Sequence, residues 1–239
     1  MQYQRVLLEI VSGEIRKTLQ RKSRARIWSA GSGIDLVSLR LKSVFGDKVE
    51  TTLLDASEDC VAINRKLFSE NGLQAEIVVG DIFESQHASA FDVVMNTGLL
   101  EHFERVDQER ILSLVSRSLV VGGSYVTLTP YSGARLYSHC LRRARSKKML
   151  SWPETPVTTL RGLDWADLVL AEEYPVCAID QLASVGLAYP SLGVFSEHAR
   201  RFALKHESTV EPALTKLIGG YCLCDIFSRK VPSETSVKT

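Results

Sequence analysis

The chain has 239 residues, of which 45% are hydrophobic and 24% charged, close to an average soluble globular domain and long enough to bury roughly 70 to 75% of its unfolded surface. Intrinsic disorder, collagen-like repeats and a small disulfide-stapled scaffold are excluded on these numbers. Twenty-nine basic against 28 acidic residues leave a net charge of +1, so no overall positive field gathers phosphates, and a charge-guided partner has to be met by a local patch.

Residues 1–22 carry Val6, Leu7, Ile10, Val11, Ile15 and Leu19 close to a helical stripe, which predicts an amphipathic helix packed on the body within a leading segment 1–25. Ile27 to Ala30 is a short apolar run that ends in Gly31-Ser32-Gly33, and Leu36, Val37, Leu39, Leu41 and Phe45 follow at helical spacing. That pattern reads as strand, tight turn and helix. Val49 to Leu54 repeats the unit and stops at Asp55, with Ser57 as N-cap of a helix, Glu58 and Asp59 in its first turn and Gly72 past its end. A third strand, Ala75 to Val79, ends at Gly80-Asp81, and a fourth, Phe91 to Met95, leads through a polar turn to a helix with Ile111, Leu112, Val115 and Leu119 on one side. Gly122-Gly123 is expected to end that helix, and Tyr125 to Leu128 to form a fifth strand. Strands alternating with helices predict a parallel sheet covered on both faces.

Residues 129 to about 185 form a connection too long for an ordinary α/β loop, which predicts extra helices there. Leu187 to Val194 and Tyr221 to Phe227 are two further strand candidates, and the last dozen residues, rich in Ser, Thr, Lys and Glu, read as a frayed tail. No internal repeat and no Gly-, Ser- or Pro-rich linker marks a second domain.

The five cysteines, Cys60, Cys140, Cys177, Cys222 and Cys224, are odd in number and follow no apolar leader, which fits a reducing compartment and argues against disulfides. Cys222 and Cys224 lie in an apolar alternating run and read as buried strand residues; with no histidine at the spacing of a second ligand pair, no metal is expected. No apolar stretch approaches the roughly 20 residues that span a bilayer. The expectation is a cytoplasmic protein with no membrane partner.

In an open parallel sheet, ligands bind beyond the carboxyl ends of the strands, where strand order reverses. Gly31 and Gly33 let a backbone bend and approach a ligand closely, and the helix that follows offers N–H groups to a carboxylate. Asp55, 22 residues after Gly33, can accept two hydrogen bonds from a ribose diol, and Asp81 one from an exocyclic adenine amine. A nicotinamide-type fingerprint needs a small residue three after Gly33, where Leu36 stands, so a dehydrogenase is disfavoured.

The runs IWSAGSGIDLVSL, LLDAS, VVGDIF, FDVVMNTGLLEHF and SLVVGGSYVTLTP, in that order over residues 26–130, resemble the successive motifs of class I S-adenosylmethionine-dependent methyltransferases, in the small-molecule branch with an LEHF sequence after the fourth strand. The resemblance implies a single Rossmann-like, doubly wound α/β domain. Its seven-stranded mixed sheet would carry helices on both faces, an antiparallel last strand and a lid-like insertion after the fifth strand. Residues 26–130 would form the cofactor-binding core, 130–185 the insertion and acceptor region, 186–229 a terminal hairpin and 230–239 the tail. It implies S-adenosylmethionine as cofactor and S-adenosylhomocysteine as product. On this likeness Gly31 and Gly33 line the methionine portion, Asp55 with Ala56 holds the ribose hydroxyls, Asp81 with the Ile82 backbone frames the adenine, and Asn96 and Thr97 border the transferable methyl. Ser29 stands where the family usually has an acid, and Asp35 where a third glycine is often found. Either the cofactor's amino group is held more weakly than usual or Asp35 compensates for Ser29, and Ser29 keeps open a catalytically silent cofactor-binding module.

Methyl transfer from a sulfonium is an in-line displacement that needs alignment and exclusion of water more than a base; His102 is the nearest candidate if one is used. Enzymes acting on exocyclic amines of nucleic acids carry an Asn/Asp-Pro-Pro-aromatic turn, whereas this chain has Asn96-Thr97-Gly98-Leu99. Carbon-5 methylation of pyrimidines needs a cysteine nucleophile, and none lies between Cys60 and Cys140. The familiar ribose 2′-hydroxyl arrangement needs an acid where Asn96 stands. A small molecule with an O or N acceptor is the leading class, with Tyr131, Tyr137, His139, Trp152 and Trp165 as candidate pocket walls. From Arg110 to Pro153 there are eight basic residues and no acid, with Arg142, Arg143, Arg145, Lys147 and Lys148 clustered. An anionic acceptor or RNA is thus the alternative, set against a solvated helix face paired with the six acids of residues 154–180.

Overall fold

The computed structural model of the chain describes residues 2–149, 154–161 and 167–230. Trp152, Trp165 and the tail beyond residue 230 lie outside them. Helix α1 (Gln2–Leu19) turns Leu7, Val11 and Ile15 inward, as its stripe predicts, and is followed by β1 (Ala25–Ala30) and α2 (Leu36–Phe45). Then come β2 (Val49–Asp55), α3 (Glu58–Glu70), β3 (Glu76–Val79), β4 (Phe91–Thr97), α4 (Arg105–Ser118) and β5 (Leu119–Pro130). The Ser57 hydroxyl caps α3 by accepting from the Cys60 N–H at 3.3 Å, and the Asp35 carboxylate caps α2 through the Ser38 N–H at 2.8 Å.

The second half holds α5 (Arg135–Ser146), β6 (Leu168–Val176), the short α6 (Ser184–Ala188), α7 (Gly193–Lys205), α8 (Glu207–Ile218) and β7 (Cys222–Arg229). The seven strands form one sheet in the order β3-β2-β1-β4-β5-β7-β6, with β7 antiparallel to both neighbours. Side chains of alternate residues build two core layers: Trp28, Val94, Leu112, Tyr125 and Phe227 on one face, and Ile27, Val93, Met95 and Val126 with Leu7, Val11 and Ile15 of α1 on the other. Strand order reverses between β1 and β4, which opens a crevice at their carboxyl ends.

Three expectations change. Gly122 and Gly123 do not end α4, which stops at Ser118; they sit inside β5, where Phe91 pairs with Leu119 and Val93 with Ser124, so β5 bulges. A Cβ on Gly123 would lie 2.9 Å from the Val120 carbonyl oxygen, which is why the bulge takes glycine. Leu187–Val194 is not a strand: it covers the end of α6, a 3-10 turn at Pro190–Leu192 and the start of α7. Gly186 lies against Gly193 there, a Cβ on the former falling 3.1 Å from the Cα of the latter, so the two helices approach through small residues. The sixth strand is instead β6, within the segment expected to be helical insertion. Its exposed residues, its position at the sheet edge and Pro175 hide it from an alternation test. Cys222 and Cys224 are buried in β7, where the alternating run places them.

The helical segment between β6 and β7 clasps both α1 and α5. Asp180 accepts from the Tyr3 N–H at 3.0 Å and pairs with Arg200 at 3.3 Å, while Glu207 pairs with Arg5. Gln181 accepts from the Leu136 and Tyr137 N–H groups at 3.1 Å each, satisfying donors at the start of α5, and donates to the Gly219 carbonyl at 2.6 Å.

Candidate active site

The turn after β1 is held from three sides. The Ser32 N–H donates to the Leu54 carbonyl at 2.9 Å, and the Gly33 N–H donates to Asp55 Oδ2 at 2.6 Å. From α3, the fully buried Asn64 clamps the turn twice, donating to the Gly33 carbonyl at 2.6 Å and accepting from the Asp35 N–H at 2.9 Å. Nothing in the sequence marks Asn64, because a polar residue in a helix has no pattern that announces a partner 31 positions away. Gly31 has φ +64°, and a Cβ there would come within 2.6 Å of Leu99 Cδ1, so the turn after β4 rests on the turn after β1.

Asp35 is buried, and it receives the Ser38 hydroxyl at 2.6 Å, with Ser29 beside it in the lining of one cavity. The two departures noted in the sequence therefore meet in space. Burial raises the Asp35 carboxyl above its ordinary range, and the hydroxyl and amide donors around it oppose that rise. Asp55 divides its carboxylate between the Gly33 N–H and the Ser57 N–H at 2.8 Å, while Asp81 caps the turn after β3 through the Phe83 N–H at 2.9 Å. Each carboxylate oxygen keeps a lone pair free for a further donor. Ala56 is exposed, whereas the Ile82 side chain is buried in the core.

Next to this edge lies a cavity of about 410 Å³ lined by Ser29, Gly31, Gly33, Asp35, Asn96, Thr97 and His102. Tyr3, Gln4 and Leu7 of α1 close one side, and Pro130, Glu154, Tyr221 and Cys222 another. Asp55, Ala56, Asp81 and Ile82 are not in its lining; they form a shelf at the ends of β2 and β3, joined to the cavity by the Asp55–Gly33 hydrogen bond. Asn96 is almost fully engaged by its own sheet, donating to the Tyr125 hydroxyl at 2.7 Å and accepting from the Thr127 hydroxyl at 2.6 Å. Thr97 is half-buried at the rim.

His102 is exposed on the 3-10 turn Leu100–His102, which Gln108 locks by donating to the Leu100 and Phe103 carbonyls at 2.9 and 3.1 Å. The neighbouring Glu101 is buried and lines the cavity; the sequence shows it only as a letter of the LEHF run. Of the candidate acceptor walls, Tyr137 lies one layer back: its hydroxyl donates to Glu154, and its ring meets Tyr221 edge-on at 5.0 Å. Tyr131 packs over Gly133, and His139 is on the exposed side of α5 beside the Tyr189 hydroxyl at 3.1 Å, so neither lines the cavity. Trp152 lies outside the described residues. Arg142, Arg145, Lys147 and Lys148 are exposed at the far end of α5, and Arg143 stacks on Tyr189 at 4.3 Å; none of the five touches the cavity.

The set fits a nucleoside-bearing cofactor with an amino acid end: a glycine turn for close approach, Asp55 and Asp81 along an open shelf, and the buried Asp35 beside the cavity. A family model described as a methyltransferase domain matches residues 27–123. No curated protein matches the chain. Among solved structures, a Galdieria sulphuraria protein provisionally named a sarcosine dimethylglycine methyltransferase is 16% identical, with TM-score 0.62 over 94% of this chain and 85% of that one. The PH0226 protein of Pyrococcus horikoshii OT3 is 16% identical, with TM-score 0.59 over 96% and 92% of the two chains. The YcgJ protein of Bacillus subtilis is 15% identical, with TM-score 0.57 over 93% and 100%. At these identities the likeness is one of fold.

Proposed function

From a chain whose residues 27–123 match a family model described as a methyltransferase domain and whose sheet has the Rossmann-like methyltransferase fold, we propose an enzyme that uses S-adenosylmethionine to methylate a small-molecule O or N acceptor. The observation that carries this reading is the cavity of about 410 Å³ at the β1–β4 crossover, which joins the glycine turn to a chamber walled by α1 and the segment at Glu154. A chamber of this size suits a small acceptor.

When bound, S-adenosylmethionine supplies a methyl group already activated on a positively charged sulfur. The chain's own residues then have to bind, align and dehydrate. Asp55 offers its remaining lone pairs to the ribose hydroxyls, and Asp81 with the Ile82 backbone meets the adenine. Asp35, beside Ser29 in the cavity lining, supplies the buried negative charge for the amino group, a role that an uncharged serine cannot fill. Tyr3, Leu7 and Pro130 exclude water around the acceptor, and His102 at the rim is the nearest group able to take a proton from an acceptor O–H or N–H.

The exposed position of the basic cluster, away from the cavity, supports a small acceptor over RNA. The test is transfer of labelled methyl from S-adenosylmethionine to a panel of small alcohols and amines and, separately, to total RNA. Turnover on a panel member, unaffected when Arg142, Arg143 and Arg145 are replaced by Ser, is the expected result. Labelling of RNA alone, lost in the triple variant, would overturn the small-molecule reading.

A further inference from the structure

In the lining of the cavity, two acids from distant parts of the chain come together. Glu101 sits on the turn after β4, only 4% exposed, and its Oε2 has no hydrogen-bond partner. Glu154 comes from the stretch after α5, half-buried, with the Tyr137 hydroxyl donating to it. The Thr155 N–H donates to the Glu101 carbonyl at 2.8 Å, so backbone holds the two segments together. Both residues line the cavity.

A buried carboxylate oxygen without a donor is destabilising, and two neighbouring acids repel unless a proton or a cation comes between them. No Lys or Arg among the described residues lines this cavity. Among the described residues no three His, Cys, Asp or Glu side chains are grouped to hold a metal ion. A ligand that brings an N–H to this acidic pair from the cavity supplies a donor that the described residues do not. Tyr3 and Tyr221 add aromatic rings to the same chamber, which suits a cation attached to an apolar body.

We propose that Glu101, supported by Glu154, is a subsite for the protonated amine of a small cationic acceptor. This rests on the methyltransferase reading above and narrows its acceptor to a class. It runs opposite to an anionic acceptor, which the basic run of residues 110–153 invites from the sequence. Burial pushes Glu101 up to about 7, with Glu154 adding to the rise and His102 opposing it. A cation at this point favours the ionised form and offsets the burial.

The experiment uses the whole protein saturated with S-adenosylhomocysteine at about pH 8, titrated calorimetrically with three pairs of like shape and opposite charge: benzylamine and benzoate, phenethylamine and 3-phenylpropionate, cyclohexylamine and cyclohexanecarboxylate. At least one amine is expected to bind tenfold or more tightly than its carboxylate partner. Glu101→Gln, which keeps shape and removes charge, should abolish that preference while leaving the S-adenosylhomocysteine constant within about twofold, and Glu154→Gln should reduce it by a smaller factor. Carboxylates bound as well as amines, an amine preference unchanged in both variants, or no amine binding to a protein that does bind S-adenosylhomocysteine would each overturn the subsite alone. Absence of S-adenosylhomocysteine binding in the parent protein would instead overturn the methyltransferase reading, and the subsite with it.

Discussion

Gly31 is where the two halves of the crevice touch, and its lack of a side chain is what lets Leu99 lie across the turn. Gly31→Ala places a methyl 2.6 Å from Leu99 Cδ1 on a residue with φ +64°. The backbone term alone costs on the order of 1 kcal/mol, so the variant should unfold at lower urea, by about 1 to 3 kcal/mol. Adding Leu99→Ala should not restore it, because the unfavourable φ remains and a cavity is added. An unchanged urea midpoint for Gly31→Ala would contradict the close packing of the two turns. Gly31, Gly33, Asp55 and Asp81 are legible in the sequence because each stands at the end of a strand within a short motif. Asn64, Glu101 and Glu154 are not, since what gives them a role is contact with residues far along the chain.

At the level of elements, β7 is inserted between β5 and β6 and buries Asp225, whose carboxylate oxygens have no conventional donor. Across from it on β6, Glu173 accepts from the Thr159 hydroxyl at 2.6 Å and pairs with Arg161, which hold it ionised below its ordinary value despite burial. Burial first, and the Glu173 charge second, push Asp225 up to about 8, so Asp225 carries the proton between them. In the unfolded chain the same group titrates near about 4. Between those values the folded protein binds a proton that the unfolded chain has released, so the stability this group contributes is complete at low pH and is lost as pH rises to about 8. Urea midpoints should therefore fall between about pH 5 and about pH 8, and fall less in Asp225→Asn, which is neutral throughout. Equal slopes for the two proteins would show that Asp225 is ionised in the fold. The strand that carries Asp225 is readable from its alternation, whereas β6 is not: Glu172, Glu173 and Pro175 belong to a sheet edge, and an edge imposes little pattern on its sequence. The misplaced strand at Leu187–Val194 has the converse cause, an apolar run whose burial comes from helix packing at Gly186 and Gly193.

For the whole molecule, the near-balance of 29 basic and 28 acidic residues resolves into separate regions: a basic end of α5 facing solvent and a cavity whose charged lining is mostly acidic. Charge counted along the chain finds the first and misses the second, because Asp35, Glu101 and Glu154 are scattered in sequence. The cofactor edge, by contrast, takes Gly31, Gly33, Asp55 and Asp81 from the ends of successive strands, each within a short local motif, and that part of the fold is legible. The central claim, that this edge binds the adenosyl cofactor, is tested most directly by calorimetric titration of S-adenosylhomocysteine into the protein and into Asp55→Ala. Two lost hydrogen bonds to a charged group are worth about 3 kcal/mol or more, so a single site in the parent protein should be weakened by more than about 100-fold in the variant. No binding to the parent protein, or the same dissociation constant in both, would contradict it.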